Sequence, residues 1–401
     1  MLPSGSSNPE RNFRLVVLQL GISTFASSIF VISILWISIS ATGSAVITGI
    51  TSSLMVAPLI IGFVIGAFVD RVVRKRLLVI MISIGRGIAS LLLLPAAVLG
   101  NSLPAILFLF ASAIIYGLTM AMIAPARMIL SRNFLRQNVF IKGMSFMNVV
   151  SYSSRIMGYA ASAILMTWKL DIGIILMSAI FFLSAIPVVF LPAMNGELSH
   201  REGFSASLRK GFRLVKNSAM VSQIIFIFVA SGFFLGMSDT VLTVTVRKTL
   251  NLDAMFLSTI FIATSLGGIA GSILISKLKG AAGKRLVIGY LVSGFSLLVA
   301  GLFMKIVIVV PMMFLVGISS GLASPTITTL LFSSVDKENI GRIQGLMDTF
   351  GFSFNSMSAA LAGFIIFLLT PFYVFLCMSA GLIILAMSIS RLRTVSAAML
   401  T

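Results

Sequence analysis

Long apolar runs separated by short basic turns fill almost the whole of this chain, and a soluble fold cannot bury so many of them. The runs reach the roughly 20 residues that a helix needs to cross a bilayer. They lack the strict alternation of a transmembrane barrel strand. Inside lipid every backbone polar group must be satisfied within its own segment, so each run is expected to be a helix. Only 10% of the residues are charged and 58% are hydrophobic, against about 25% charged for a soluble domain. The expected fold is all-α and polytopic.

Twelve spans are read from the sequence. The first six fall near 14–38, 44–68, 77–98, 103–124, 143–168 and 171–193. The second six fall near 220–244, 254–276, 285–304, 306–325, 344–368 and 371–390. The first run is too long for a signal-peptide core and is expected to remain as a span. Of the 29 Lys and Arg, all but Arg86, Arg155, Lys169, Arg247, Lys248 and Lys305 fall at the termini or in alternate turns on one face. That asymmetry predicts a cytoplasmic-membrane protein with both termini cytoplasmic. It also accounts for the net charge of +19 without nucleic acid as a partner.

The halves repeat. Gly117 precedes Pro125 by eight residues, and Gly317 precedes Pro325 by the same interval, 200 positions later. The longest polar interval lies between the halves and contains Glu197, His200, Arg201 and Arg209. The domains expected are two pseudo-symmetric six-helix bundles, residues 1–194 and 220–401, joined by a cytoplasmic loop over 195–219. Part of that loop, Phe204 to Val215, has the spacing of a helix lying on anionic lipid, or else of a solvated linker.

The turn after the second span reads Gly66-Ala67-Phe68-Val69-Asp70-Arg71-Val72-Val73-Arg74-Lys75-Arg76. It resembles the loop signature G-x-x-x-D-R-x-G-R-K/R of the major facilitator superfamily, with Val73 in place of the second glycine. Within that superfamily, Ala124-Pro125-Ala126-Arg127, Arg155-Ile156-Met157-Gly158 and Glu338-Asn339-Ile340-Gly341-Arg342 are similar to enterobactin-type siderophore exporters and macrolide-efflux proteins. The resemblance implies alternating access between two bundles and efflux driven by an ion gradient. It also implies that Asp70 meets the start of the eleventh span near Arg342, so that Gly66, Asp70, Arg71, Arg74, Lys75, Arg76 and Arg342 form a gate. Arg74, Lys75 and Arg76 have a simpler use as anchors on membrane lipid. An anion at a helix C-terminus such as Asp70 opposes the helix dipole and needs a compensating partner.

Charges inside spans are expensive and usually functional. Arg86, Arg155, Asp239 and Asp348 are read as such charges. At the helical rise, Arg155 lies about 18 Å into its span. Arg155, Asn148, Gln223 and Asn355 are the candidates for substrate binding. Arg155 serves equally well as a structural cation, and that is the preferred reading for Arg86. Asp239 and Asp348 are the candidate carriers of a coupling ion, a proton being expected. The fourth span as bounded holds no arginine, and Gly158 is followed by Tyr159 rather than proline, which departs from the familiar drug–proton antiporters.

No phosphate-binding glycine loop, catalytic triad or metal-ligand set is present. One cysteine, Cys377, and one histidine, His200, supply neither a disulfide nor a metal cluster. The reading is a monomeric secondary transporter without cofactor, not an enzyme, that exports small amphiphilic or anionic compounds. The alternatives are a nutrient or organic-anion importer on the same fold and a membrane sensor that binds without transporting.

Overall fold

The computed structural model describes residues 8–72, 74–135, 140–192, 213, 215–277, 281–336 and 339–392. Most of the expected central loop, and its lipid-surface helix, lie outside the described residues. The architecture is all-α. By length and apolarity ten of the described helices can cross a membrane, and a shorter apolar stretch covers Ala45–Ile61. Phe140–Trp168 is also long enough, at 29 residues, and carries Lys142, Asn148 and Arg155 among its apolar residues.

By their contacts the helices form two compact units, one of residues 1–43 and 61–201, the other of 44–60 and 202–401. In the first unit, α1 spans Pro9–Thr42. It opens where Asn8 Oδ1 accepts from Arg11 N at 3.1 Å and closes on Gly43, whose φ of 63° is left-handed. Such a terminus suits glycine, which has no Cβ to collide with the backbone. The unit continues with α3 (Gly62–Arg71), α4 (Lys75–Leu91), α5 (Leu93–Val98), α6 (Leu103–Phe134), α7 (Phe140–Trp168), α8 (Leu170–Leu183) and α9 (Ile186–Val189). Helix α1 packs on α7, α6 and α8, while α4 packs on α6 and α8. The Phe30 ring stacks on Tyr116 at 4.2 Å between centroids. Gly158 sits directly against the carbonyl of Phe25, so α1 and α7 meet backbone to backbone.

The second unit takes α2 (Ala45–Val56), then α10 (Ala219–Gly236), α11 (Ser238–Val244), α12 (Ala254–Lys277), α13 (Ala282–Phe303), α14 (Ile306–Ser334), α15 (Ile340–Leu368) and α16 (Pro371–Arg391). The segment expected as one span over 44–68 is thus interrupted: a short 3-10 turn over Ala57–Ile61, containing Pro58, separates α2 from α3. Proline has no N–H to continue the helical ladder. Helix α2 packs against α15, where Gly49 and Gly363 leave no room for side chains. There Ser53 Oγ and Ser356 Oγ are 2.8 Å apart.

Glycines also bring α12 and α14 together. Gly267 lies against the Phe314 carbonyl and Gly271 against that of Ile318, while Gly317 and Gly321 lie against the carbonyls of Thr264 and Gly268. In lipid no hydrophobic force draws helices together, and small residues four apart permit the close packing that does.

Candidate functional site

The basic turn lies between α3 and α4. Gly66 has open space where a Cβ would project. Asp70 is the penultimate residue of α3, and its side chain lies outside the described residues, as does Val73. Arg71 and Arg74 are exposed. Lys75 instead is only 3% exposed, and its Nζ folds back to donate to the carbonyl of Val69. Arg76 Nη1 donates to the carbonyl of Leu191 at 2.8 Å. The turn therefore divides its cations between the surface and the bundle. A cation near the last carbonyls of α3 suits the negative end of that helix dipole. Arg342, two residues into α15, donates from Nη1 to Asn339 Oδ1 at 2.8 Å.

Among the described residues, two arginines sit inside the first unit. Arg86, 3% exposed on α4, donates from Nε to Thr119 Oγ1 at 3.2 Å and from Nη1 to Ser23 and Ser27 Oγ at 3.0 and 3.2 Å. Its Cζ lies 5.4 Å from the centroid of the Tyr116 ring. Arg127 donates from Nε to Gln19 Oε1 at 2.8 Å. The sequence reading ended the fourth span before Arg127, but α6 runs on to Phe134 and carries that arginine into the helix bundle. Gln19 is 1% exposed, and neither its Nε2 nor Arg127 Nη2 has a hydrogen-bond partner among the described residues. Arg86 and Arg127 are close enough for their charges to act on each other.

On α7, Asn148, Tyr152 and Arg155 are all exposed. Spacings of four and three place them on one helix face. The Arg155 guanidinium lies 5.8 Å from the centroid of the Tyr152 ring, and among the described residues no carboxylate comes within ion-pair distance of it. On the opposite side of α7, helices α1, α7 and α8 enclose a groove of about 620 Å³ lined by Val17, Gly21, Phe25, Val150, Ser154 and Met157, with Arg14 also in its wall.

The remaining candidates are in the second unit. Asn355 Nδ2 donates to the carbonyl of Gly232 at 3.2 Å and ties α15 to α10. Gln223 is half-buried on α10, and Asp239 half-buried in the first turn of α11. Asp348 accepts from Gln344 Nε2 at 2.9 Å and borders a cavity of about 260 Å³ whose wall mixes hydroxyls with apolar side chains. The structure thus brings Asn148 and Arg155 together on α7. Gln223, Asp239, Asp348 and Asn355 are distributed over α10, α11 and α15.

No curated protein matches the chain. Among solved structures it is similar to the nucleoside transporter NupG, with a TM-score of 0.73 at 14% identity over 97% of this chain and 99% of that one. It is similar to an auto-inhibited POT family peptide transporter, with a TM-score of 0.75 at 11% identity over 96% and 97%. It is also similar to the human organic anion transporter MFSD10 (TETRAN), with a TM-score of 0.66 at 14% identity over 96% and 100%. At these identities the likeness is one of fold. Residues 16–359 match the family profile of the Major Facilitator Superfamily, and the chain belongs to that family.

Proposed function

We propose that the chain is a secondary transporter of the cytoplasmic membrane that exports small anionic or amphiphilic compounds, driven by an ion gradient. The observation that carries the substrate class is Arg155, exposed near the middle of α7 with no carboxylate beside it among the described residues. A charge at that depth is stable where water or a counter-ion reaches it, and costly against lipid. Asn148 and Tyr152 extend the same face, and Tyr152 gives it an aromatic surface beside the guanidinium. Export, rather than import, rests on the resemblance of the Ala124–Arg127, Arg155–Gly158 and Glu338–Arg342 motifs to exporters. The Gly66–Arg76 turn and Arg342 are the proposed gate, and the protein is read as a monomer with both termini cytoplasmic.

The test is flux of anionic, cationic and neutral amphiphiles into inverted membrane vesicles, with Arg155→Gln alongside the parent. Anion accumulation lost in Arg155→Gln supports this reading. Accumulation in right-side-out vesicles instead reverses the direction to import. Specific binding without accumulation in either orientation replaces transport with sensing.

A further inference from the structure

The groove of about 620 Å³ between α1, α7 and α8 lies on the side of α7 away from Arg155, and the proposed transport site does not use it. Helices α1 and α7 run parallel along it. Phe13 of α1 lies beside Gly143 of α7, Gly21 beside Val150 and Ser154, and Phe25 beside Gly158. On α1 the wall runs from Arg14 to Phe25, and on α7 from Phe146 to Met157. Each stretch advances eleven positions, about 16 Å at the helical rise. That is the depth of one leaflet, half of the roughly 30 Å hydrocarbon core.

The chemistry of the groove is divided by depth. Apart from Arg14 and Ser154, every lining residue is apolar. Leu18, Phe146 and Met157 are each more than half exposed, so among the described residues no helix fills the trough. Cations stand at the end marked by Phe13 and Gly143. Arg14 is in the wall there, and Lys142, one turn before Phe146 on the same face of α7, is exposed. Arg14 has Glu10 at 4.0 Å, with both side chains largely exposed. An exposed pair of that kind contributes little and leaves the guanidinium available. An apolar trough one leaflet deep, with positive charge at one end, is complementary to an apolar chain with an anionic head. The basic segment that follows α9 in the chain, with Arg209, Lys210 and Arg213, has the same sign of charge as that end and is a poor occupant.

We propose that this groove binds one anionic phospholipid, its acyl chain along α1 and α7 and its phosphate at Arg14 and Lys142. Within a bilayer an apolar chain gains little by leaving lipid for an apolar groove. The trough therefore fixes where the chain lies, and the two cations decide which headgroup is held. The site rests on the helices crossing a membrane and not on transport, so failure of either reading leaves the other standing.

The experiment labels the purified full-length protein in detergent with phosphatidylglycerol that carries a photoactivatable group on its acyl chain, and maps the labelled peptides. Labelling is expected to concentrate on residues 14–25 and 146–157. Unlabelled phosphatidylglycerol should compete at least about tenfold better than phosphatidylcholine, the scale set by two basic residues near an anionic lipid. In Arg14→Gln/Lys142→Gln that preference should vanish. Leu18→Trp, which fills the trough from its open side, should lose the labelling. Both variants are shown to be folded by their melting transitions. Labelling spread evenly over the apolar surface overturns the proposal, since the lipid would then be annular only. Equal competition by the two lipids also overturns it, as does a preference retained in the double variant. Undiminished labelling in Leu18→Trp places the chain elsewhere, and absence of label from both segments leaves the groove to another occupant; either result refutes the site.

Discussion

Arg86 Nε lies 3.2 Å from Thr119 Oγ1, which ties a cation on α4 to the middle of α6 while Nη1 holds two serines of α1. Three helices therefore share one guanidinium. Hydrogen bonds to a charged group contribute about 1.5–3 kcal/mol each when a partner is removed. Arg86→Met is expected to lower the melting temperature of the purified protein by several degrees. Arg86→Lys should recover little of the loss, because an ammonium cannot reproduce the planar fork that addresses α1 and α6 together. A lysine variant as stable as the parent would show that charge alone holds the site.

The α12–α14 contact makes a second prediction about stability. A Cβ at Gly317 has no room beside the Thr264 carbonyl, whereas one at Gly62 meets nothing within 4 Å. Gly317→Ala should destabilise by about 1–3 kcal/mol through forced separation of the helices. Gly62→Ala should be neutral or slightly stabilising, since alanine is favoured over glycine in a helix by up to about 1 kcal/mol. Melting of both variants in the same detergent checks the contrast.

Much of the fold was legible as apolar runs, and Arg86 and Arg155 stood out in them because a charge there is conspicuous. Arg127 was harder to place. Hydropathy falls where the basic residues begin, but hydropathy reports transfer into lipid and not helix formation, and α6 continues as a helix to Phe134. The second span read as one apolar run, yet Pro58 and the 3-10 turn divide it, and only Gly49 and Gly363 explain why α2 follows α15. The cavity at Asp348 left no mark beyond the carboxylate itself. Its wall is a mixture of common serines and threonines with apolar residues such as Phe228, Leu235 and Met347, contributed by four helices, and it exists only after folding.

The α2–α15 contact can be trapped. With Ser53 and Ser356 Oγ 2.8 Å apart, Ser53→Cys/Ser356→Cys places two thiols within reach of the geometry a disulfide needs. In a background with Cys377 replaced by serine, mild oxidation should crosslink most of the protein. If α2 and α15 must part during each cycle, the crosslink should abolish flux in vesicles, and reduction should restore it. Full flux in the crosslinked protein would make this contact a fixed part of the second unit.

Asp70→Asn separates the proposed gate from topology. Removing one acid leaves every cation of the Gly66–Arg76 turn in place, so insertion and orientation should be unchanged. Flux should fall at least about tenfold if the carboxylate stabilises one of the two access states by roughly 1.4 kcal/mol or more. Membrane abundance and vesicle flux, measured on the same preparation, decide it. Normal flux at normal abundance removes Asp70 from the gate.

Gln19 and Arg127 offer the sharpest test of electrostatics inside the first unit. Their one hydrogen bond, 2.8 Å from Nε to Oε1, leaves Gln19 Nε2 and Arg127 Nη2 buried without partners among the described residues. Gln19→Glu exchanges the unpartnered amide donor for a second acceptor oxygen. The carboxylate can then receive both Nε and Nη2 in the paired geometry that suits a guanidinium. Desolvating a new carboxylate opposes this gain and can cancel it for an isolated pair. Here a second cation, Arg86, is near enough to add attraction, so the balance should favour the charged variant by about 1–2 kcal/mol. Gln19→Glu is therefore expected to melt higher than the parent, and Gln19→Leu lower, because the leucine strands Arg127 without an acceptor. If Gln19→Glu melts lower instead, desolvation outweighs the pairing, and Arg127 is better served by a neutral amide.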